Sequence, residues 1–242
     1  MGHISDAFED LSHALRVLLE AHAKAHRFGL LQTDRAEAVG NIETALASVL
    51  NAFHSLYDSM EKEGQKNLIN WYDAPELATI LVLRNARHHN QAKKIRTLYT
   101  FHAQEAEDIA QMRMYVLVNF PAQEEGASTF EVYISWSDLK ALLDMPRQES
   151  RVSEASAQSI REYLASDLFS AYAEHYELTE DRIFFNVVPL FVNAAAKIVP
   201  LIHCHVSPRS MESELYLSLF QDMLPALTKR HEVNCGPIAL MP

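Results

Sequence analysis

Glycine, cysteine and positive charge are all scarce in this 242-residue chain. Six glycines set among many Ala, Leu, Glu and Gln residues favour a mostly helical fold, because those four residue types form helices well and glycine does not. The two cysteines, Cys204 and Cys235, form no CxxC pair, so neither a disulfide framework nor a zinc ribbon is indicated. Free thiols fit a reducing compartment, and we expect a cytoplasmic protein.

The small number of basic residues limits how the chain can bind nucleic acid. Its formal net charge is −11. A protein that grips nucleic acid over its whole surface is usually basic, because neutralising phosphates supplies most of the non-specific affinity. Any RNA contact must therefore be local, in a cleft or across a dimer.

A long uninterrupted apolar run is also missing. A membrane-spanning helix needs about 20 mostly apolar residues. The nearest approach, residues 183–206, is broken by Asn186, Pro189, Asn193, Lys197, Pro200, His203 and His205. The first residues lack the basic stretch and apolar run of a signal peptide. We expect no membrane partner.

The first 112 residues show the spacing of amphipathic helices. One helix is predicted over residues 5–27, and a second from Thr33 to Gly64. A third is expected to begin after Asp73, with Pro75 in its first turn, and to run on towards residue 112. The apolar stripes of the first two helices predict one shared core containing Leu15, Leu19, Leu46, Val49 and Phe53.

After residue 112 the apolar period changes from that of a helix to that of a strand. Residues 115–120 are rich in strand formers, and alternating apolar residues follow at 130–136. The acidic connection between them contains Gly126. These two strands are predicted to pair as a β-hairpin with a long turn.

The remaining sequence predicts a mixture of helices and strands. Residues 147–153 are polar and fit a linker, whereas 183–197 fit either a helix or a buried strand. The other expected elements are a short helix from Ser137 to before Pro146, a helix over 154–176, a strand over 201–206 and a helix over 212–227. The predicted fold class is mainly α, with an N-terminal helical bundle (1–112), a β-hairpin and a C-terminal α+β portion (113–242) that packs separately or with the bundle as one domain.

One short segment carries the residue types of metal-free RNA cleavage. Arg84 and Asn85 are followed closely by His89. A histidine can accept the proton of a 2′-hydroxyl or protonate the leaving oxygen. An arginine can hold the scissile phosphate and stabilise its growing negative charge, and a neighbouring amide can orient either group.

This segment resembles the signature of the HEPN superfamily of helical ribonucleases. That signature is an arginine, a polar residue such as Asn directly after it, and a histidine after four to six intervening residues. Arg84, Asn85 and His89 match it with four residues between the arginine and the histidine. The resemblance implies a helical bundle whose two copies share one cleft, and RNA cleavage without metal or cofactor. It also implies a role as a toxin, a defence factor or an RNA-processing protein, with an antitoxin as a further partner.

The strongest basic cluster of the chain flanks this segment. Arg87, Lys93, Lys94 and Arg96 lie within a few residues of it. We expect these four side chains to contact RNA, since an acidic protein can attract RNA only where positive charge is concentrated.

The alternative interpretation of the same segment is a solvated helix face on a non-catalytic, protein-binding scaffold. In a continuous helix Arg84 and His88 are i, i+4 neighbours, whereas Arg84 and His89 point about 140° apart. Arg84 and His89 then need a helix end, a bend or a second subunit to converge. His88 is thus the competing histidine.

Two further histidine groups have the spacing of metal ligands. His203 and His205 would share one face of a strand, next to Cys204, and His22 and His26 are i, i+4 on a helix. Neither pair has a third ligand at a recognisable spacing. We therefore predict no metal site. We interpret His203 and His205 as structural, and His22 and His26 as part of an ordinary exposed helix face.

Overall fold

The structure, a computed structural model, describes residues 2–88, 95–100, 113–124 and 127–237. In chain order the helices and strands are α1 (His3–His26), α2 (Leu30–Thr33), α3 (Arg35–Lys62), α4 (Pro75–His88), β1 (Tyr115–Asn119), β2 (Tyr133–Ser135), α5 (Trp136–Leu143), α6 (Arg147–Ser150), α7 (Glu154–Tyr163), α8 (Asp167–His175), β3 (Ile183–Asn186), α9 (Val188–Ile202), α10 (Met211–Asp222) and β4 (Glu232–Gly236). The mainly α class with a C-terminal α+β portion is confirmed.

The two long helices α1 and α3 pack along each other and form the N-terminal part of the fold. Gly29, between them, has a φ of 71°, a left-handed value that glycine adopts without a Cβ clash. Asp34 caps α3, because its Oδ1 accepts a hydrogen bond (2.9 Å) from the backbone N–H of the third residue on. The sequence prediction of a helix starting at Thr33-Asp34 thus has its physical basis in this cap.

The predicted core of these helices is mostly present. Leu46, Val49 and Phe53 are buried, and Leu15 is half-buried against them. The prediction for Leu19 is wrong, since 45% of its surface is exposed. Leu18, one position earlier, takes the buried place on α1, and a step of one residue turns a side chain by about 100°.

Helix α4 runs through the interior of the molecule. It packs against α3, α7 and α9, and its residues are buried on several sides of the helix. A single apolar cluster includes α1, α3, α4 and α9 together with one face of the sheet. The N-terminal helices and the C-terminal α+β portion thus contribute to one core.

The four described strands form a sheet in the order β2-β3-β1-β4. Strands β1 and β3 are parallel, and the two outer pairings are antiparallel. The strands of the predicted hairpin both exist, but β3 lies between them, so the pairing predicted for them is wrong. All four residues of β3 are buried, and an apolar strand of that kind is stable only in the interior of a sheet.

Other predicted elements also differ from the structure. The helix expected over 212–227 ends at Asp222, and the expected linker 147–153 contains the short helix α6. The helix expected to continue through residues 95–97 is absent there, because Thr97 forms a β-bridge with Ile134. The helix expected over 154–176 is two helices, α7 and α8, separated at Ala165 with a φ of 44°. The strand expected over 201–206 is instead the end of α9 followed by a 3-10 turn.

The segment left open between helix and strand contains both. Residues 183–186 are the strand β3, and α9 begins at Val188, with Pro189 in its first turn. Within the described residues, one helical stretch, Val188–His205, has the length and apolar composition of a membrane span, and 56% of it is buried inside the fold. A buried apolar helix of this kind is consistent with a soluble protein.

Candidate functional site

Arg84 and Asn85 lie near the C-terminal end of α4, within the core of the fold. Both residues are half-buried, and their neighbours Leu83 and Ala86 are buried. A solvated helix face would leave an arginine side chain mostly in water. Arg84 is thus partly shielded from water, and the choice between a catalytic segment and a solvated or structural helix face stays open.

The guanidinium group of Arg84 is held by the amide next to it. Its Nη1 donates a hydrogen bond of 3.2 Å to Oδ1 of Asn85. Its Nε is buried and has no hydrogen-bond partner in the described part of the chain. Burying an N–H without a partner costs about 1–3 kcal/mol, and more for a charged group. The hydrogen bond to Asn85 holds the guanidinium, and the buried Nε–H is left without a partner among the described residues.

The rest of the predicted catalytic and basic set is only partly described. Arg87 lies in α4, directly before His88. His89, Lys93 and Lys94 lie outside the described residues. The convergence of Arg84 with His89 therefore stays a prediction.

Arg96 has a structural partner. Its Nε and Nη2 donate to the two carboxylate oxygens of Asp138 at 2.9 and 3.0 Å. Its backbone N–H also donates to Asp138, at 2.9 Å. This contact joins the segment before Thr97 to α5. A guanidinium that makes a bidentate ion pair is already satisfied by a carboxylate, so we do not include Arg96 in the proposed RNA site.

Asn85 also lines a cavity of about 350 Å³ between α4 and residues 147–156. The other polar groups in its wall come from Tyr72, Arg147, Arg151, Ser153 and Ser156. None of these residues was predicted from the sequence, and three of them (Arg147, Arg151 and Ser153) lie in the segment that was interpreted as a linker. The spacing of Arg147 and Arg151, four residues apart beside a helix cap, was the signal that could have indicated them.

The exposed helix face expected at His22 and His26 is wrong, because both side chains are half-buried against other aromatic rings. The two rings lie 4.4 Å apart between centroids, and His26 Nε2 is 2.5 Å from the hydroxyl of Tyr99. Burial, with a smaller contribution from the neighbouring His26 and Arg27, lowers the pKa of His22 to about 4. Burial also lowers the pKa of His26. Two neighbouring neutral imidazoles, tilted by 32° to each other, with His26 bonded to a tyrosine, are a structural arrangement.

The other histidines and cysteines do not assemble a metal site in the described ranges. No group of three or more His, Cys, Asp or Glu side chains with the geometry for a metal ion occurs there. His203 and Cys204 are exposed on the turn after α9, and the carbonyl oxygen of His205 accepts a hydrogen bond from the Ser5 hydroxyl.

His231, in the C-terminal part, is half-buried, and each of its ring nitrogens has a hydrogen-bond partner. Its Nε2 lies 2.9 Å from the carbonyl oxygen of Leu164 and 3.1 Å from that of Thr228, so this nitrogen carries the proton. Its Nδ1 accepts from the hydroxyl of Tyr172 at 3.1 Å. Burial lowers its pKa. A neutral ring with both nitrogens hydrogen-bonded has a structural role, and we do not treat His231 as a second candidate functional site.

Comparison of the chain with protein-family models, curated proteins and solved structures finds no match. The class of protein must therefore be argued from the site itself. Two features define that site: the half-buried Arg84–Asn85 pair, and the arginine-lined cavity that Asn85 borders.

Proposed function

We propose that this chain is a HEPN-like, metal-independent endoribonuclease of the cytoplasm. Arg84 binds the scissile phosphate, Asn85 orients the guanidinium, and His89 is the general acid and base. The observation that supports this proposal is the half-buried guanidinium of Arg84, which Asn85 holds in place and whose Nε has no hydrogen-bond partner among the residues that the structure describes. An anionic phosphate oxygen is the kind of partner that such a donor needs.

The chemistry follows from these residue types. His89 removes the proton of a 2′-hydroxyl, and that oxygen attacks the adjacent phosphorus. The bond from phosphorus to the 5′-oxygen of the next nucleotide breaks, and that oxygen receives a proton from an imidazolium. The products are a 2′,3′-cyclic phosphate and a free 5′-hydroxyl. Arg84 stabilises the additional negative charge on the phosphoryl oxygens.

The proposal includes a two-fold homodimer, since a second His89 would supply the acid while the first acts as base. RNA is the substrate, and an antitoxin-like protein is a further partner. Light scattering at micromolar concentrations should give twice the mass of the chain. A monomer throughout that range would contradict the composite site.

The catalytic test uses purified protein and single-stranded RNA in excess EDTA. Native protein should cleave RNA and leave 2′,3′-cyclic phosphate ends. His89→Ala should reduce kcat about a hundredfold or more, and Arg84→Met, which keeps an apolar stem, should do the same by removing the phosphate donor. His88→Ala is the matched control and should retain most activity.

Three results would contradict the ribonuclease proposal. They are loss of cleavage on adding EDTA, products with 3′-hydroxyl ends, and equal activity of native protein and His89→Ala. Circular dichroism of each variant should match that of the native chain, so that lost activity is not lost folding.

A second candidate function, a protein-binding scaffold, is favoured by one exposed surface. Met211, Leu215 and Leu219 are four residues apart on α10, with 89%, 62% and 44% of their surfaces exposed. An exposed apolar row on one helix face is typical of a protein contact. Leu215→Glu should convert a dimer to a monomer in light scattering if a second copy binds there. An unchanged mass would exclude a second copy as the partner at this face.

A further inference from the structure

The cavity beside Asn85 has a charge opposite to that of the whole protein. The described residues that line it include two arginines, Arg147 and Arg151, and no aspartate or glutamate, although the chain carries a net charge of −11. Both arginine residues are exposed to solvent. Positive charge concentrated in one concave site attracts an anionic ligand despite an acidic surface elsewhere.

The inner wall of the cavity is apolar. Ala78, Leu81 and Val82 of α4 line it. Its volume of about 350 Å³ lies at the lower end of the range for small-ligand sites, roughly 300–1,000 Å³. An apolar wall with a few cationic and amide groups at its rim suits a ligand that has both a flat apolar part and an anionic part.

Tyr72 supplies an aromatic face at the same cavity. Half of its surface (51%) is exposed, and its ring is held edge-on against Tyr57, with 6.4 Å between centroids. Aromatic side chains of this kind stack on nucleic-acid bases, and arginines beside them bind the phosphates.

We propose that this cavity binds one nucleoside monophosphate unit of single-stranded RNA, with the base on Tyr72 and the phosphate between Arg147 and Arg151. The proposal rests on the proposed ribonuclease function, because Asn85 lines the cavity and also accepts the hydrogen bond from Arg84. The nucleotide in the cavity is then a neighbour of the one whose phosphate is cleaved. The site determines how the strand is held.

The test measures RNA binding without cleavage. The probe is a fluorescein-labelled 2′-O-methyl hexanucleotide, which lacks the attacking hydroxyl, and its binding to the full chain is followed by fluorescence anisotropy. The double variant Arg147→Gln, Arg151→Gln should weaken binding about tenfold or more and reduce the dependence on salt. Arg27→Gln, an exposed arginine at the end of α1, is the matched control and should bind as the native chain does.

The aromatic contact has its own pair of variants. Tyr72→Leu should weaken binding of the hexanucleotide about tenfold, whereas Tyr72→Phe, which keeps the ring, should bind nearly as the native chain. A merely structural role for the tyrosine would instead show as a lower unfolding temperature in Tyr72→Leu with unchanged binding.

The outcomes separate this inference from the proposed function. If the hexanucleotide binds in an arginine-dependent way and ordinary RNA is not cleaved, the proposed nucleotide site is supported and the proposed ribonuclease function is contradicted. If the double arginine variant cleaves RNA with an unchanged KM, the proposed ribonuclease function is supported and the proposed nucleotide site is contradicted. Binding of free AMP more tightly than the hexanucleotide assigns the site to a free nucleotide and overturns its role in holding RNA.

Discussion

At the scale of single residues, the buried polar groups divide by whether their hydrogen bonds are complete. Asn193 on α9 donates to the hydroxyl of Tyr163 at 2.8 Å and both accepts from and donates to the backbone of Ala226. Arg84 is different, because its Nε is buried without a partner among the described residues. Complete networks fix the fold, whereas an unpaired cationic donor is the kind of group that a ligand completes.

The half-buried pair His22 and His26 predicts how stability depends on pH. The pKa of His22 is about 4 in the fold and near 6.5 in the unfolded chain. The unfolded state therefore binds a proton first as the pH falls, so stability is full above pH 6.5 and decreases between about pH 6.5 and 4. His22→Phe should make the decrease in the free energy of unfolding smaller by about 1–2 kcal/mol. This figure already allows for the partial exposure of His22 to water, which weakens the effect.

Urea unfolding at pH 7 and pH 5 measures that difference. Native protein should lose more stability between the two pH values than His22→Phe does. His203→Phe, at an exposed position, is the control and should lose as much as the native chain. A variant at His22 with the full native loss would show that this ring takes no part in the pH dependence.

At the scale of helices and strands, the long helices α1 and α3 follow from local sequence patterns, whereas the pairing of distant strands does not. The start of α3 depends on Asp34 and its own neighbours, so the sequence reveals it. Strand β3 lies between β1 and β2 only because the chain comes back to the sheet more than sixty residues after β1. A β-hairpin is the simplest pairing for two neighbouring strands, and only burial of β3 on both faces decides against it.

The candidate site divides in the same way. Arg84 and Asn85 are adjacent in sequence, and their chemistry is visible in a six-residue segment. Tyr72 and Arg151 are 79 positions apart and meet only because α4 packs against α7. Sequence spacing could not bring them together, because nothing local indicates which helices are neighbours.

The turn that presents Arg151 predicts an unusual order of stabilities. Arg151 has a φ of 60°, and its N–H donates to the carbonyl of Arg147 at 2.8 Å. A left-handed φ costs a residue with a Cβ about 1–2 kcal/mol, and a β-branched side chain suffers most. Arg151→Gly should therefore be more stable than Arg151→Val by about 1–2 kcal/mol.

Arg147 provides the internal comparison, because it lies in the helical turn of α6. Glycine should be no more stable than valine there, since helical backbone disfavours glycine. Thermal unfolding of the four variants measures both differences. Equal stabilities of Arg151→Gly and Arg151→Val would contradict the left-handed conformation of Arg151.

At the scale of the whole molecule, one apolar cluster joins the helices before residue 89 to the sheet and helices after residue 113. Helix α4 contacts both α3 and α9, so neither part can unfold without exposing apolar surface of the other. Exposed apolar surface costs about 25 cal/mol per Å². We therefore predict that the two parts unfold together.

The two tryptophans of the chain test this cooperativity, because one lies in each part. Trp71 precedes α4 and Trp136 begins α5, and both are buried. In Trp136→Phe the fluorescence reports on the N-terminal part alone, and in Trp71→Phe on the C-terminal part alone. In each variant the urea midpoint by fluorescence should equal the midpoint by circular dichroism, which reports on all helices. Midpoints that differ between the two probes in one variant would show two independently folding domains, despite the shared core. Coincident midpoints in both variants would mean that a substitution at the Arg84 site changes the free energy of unfolding of the entire chain.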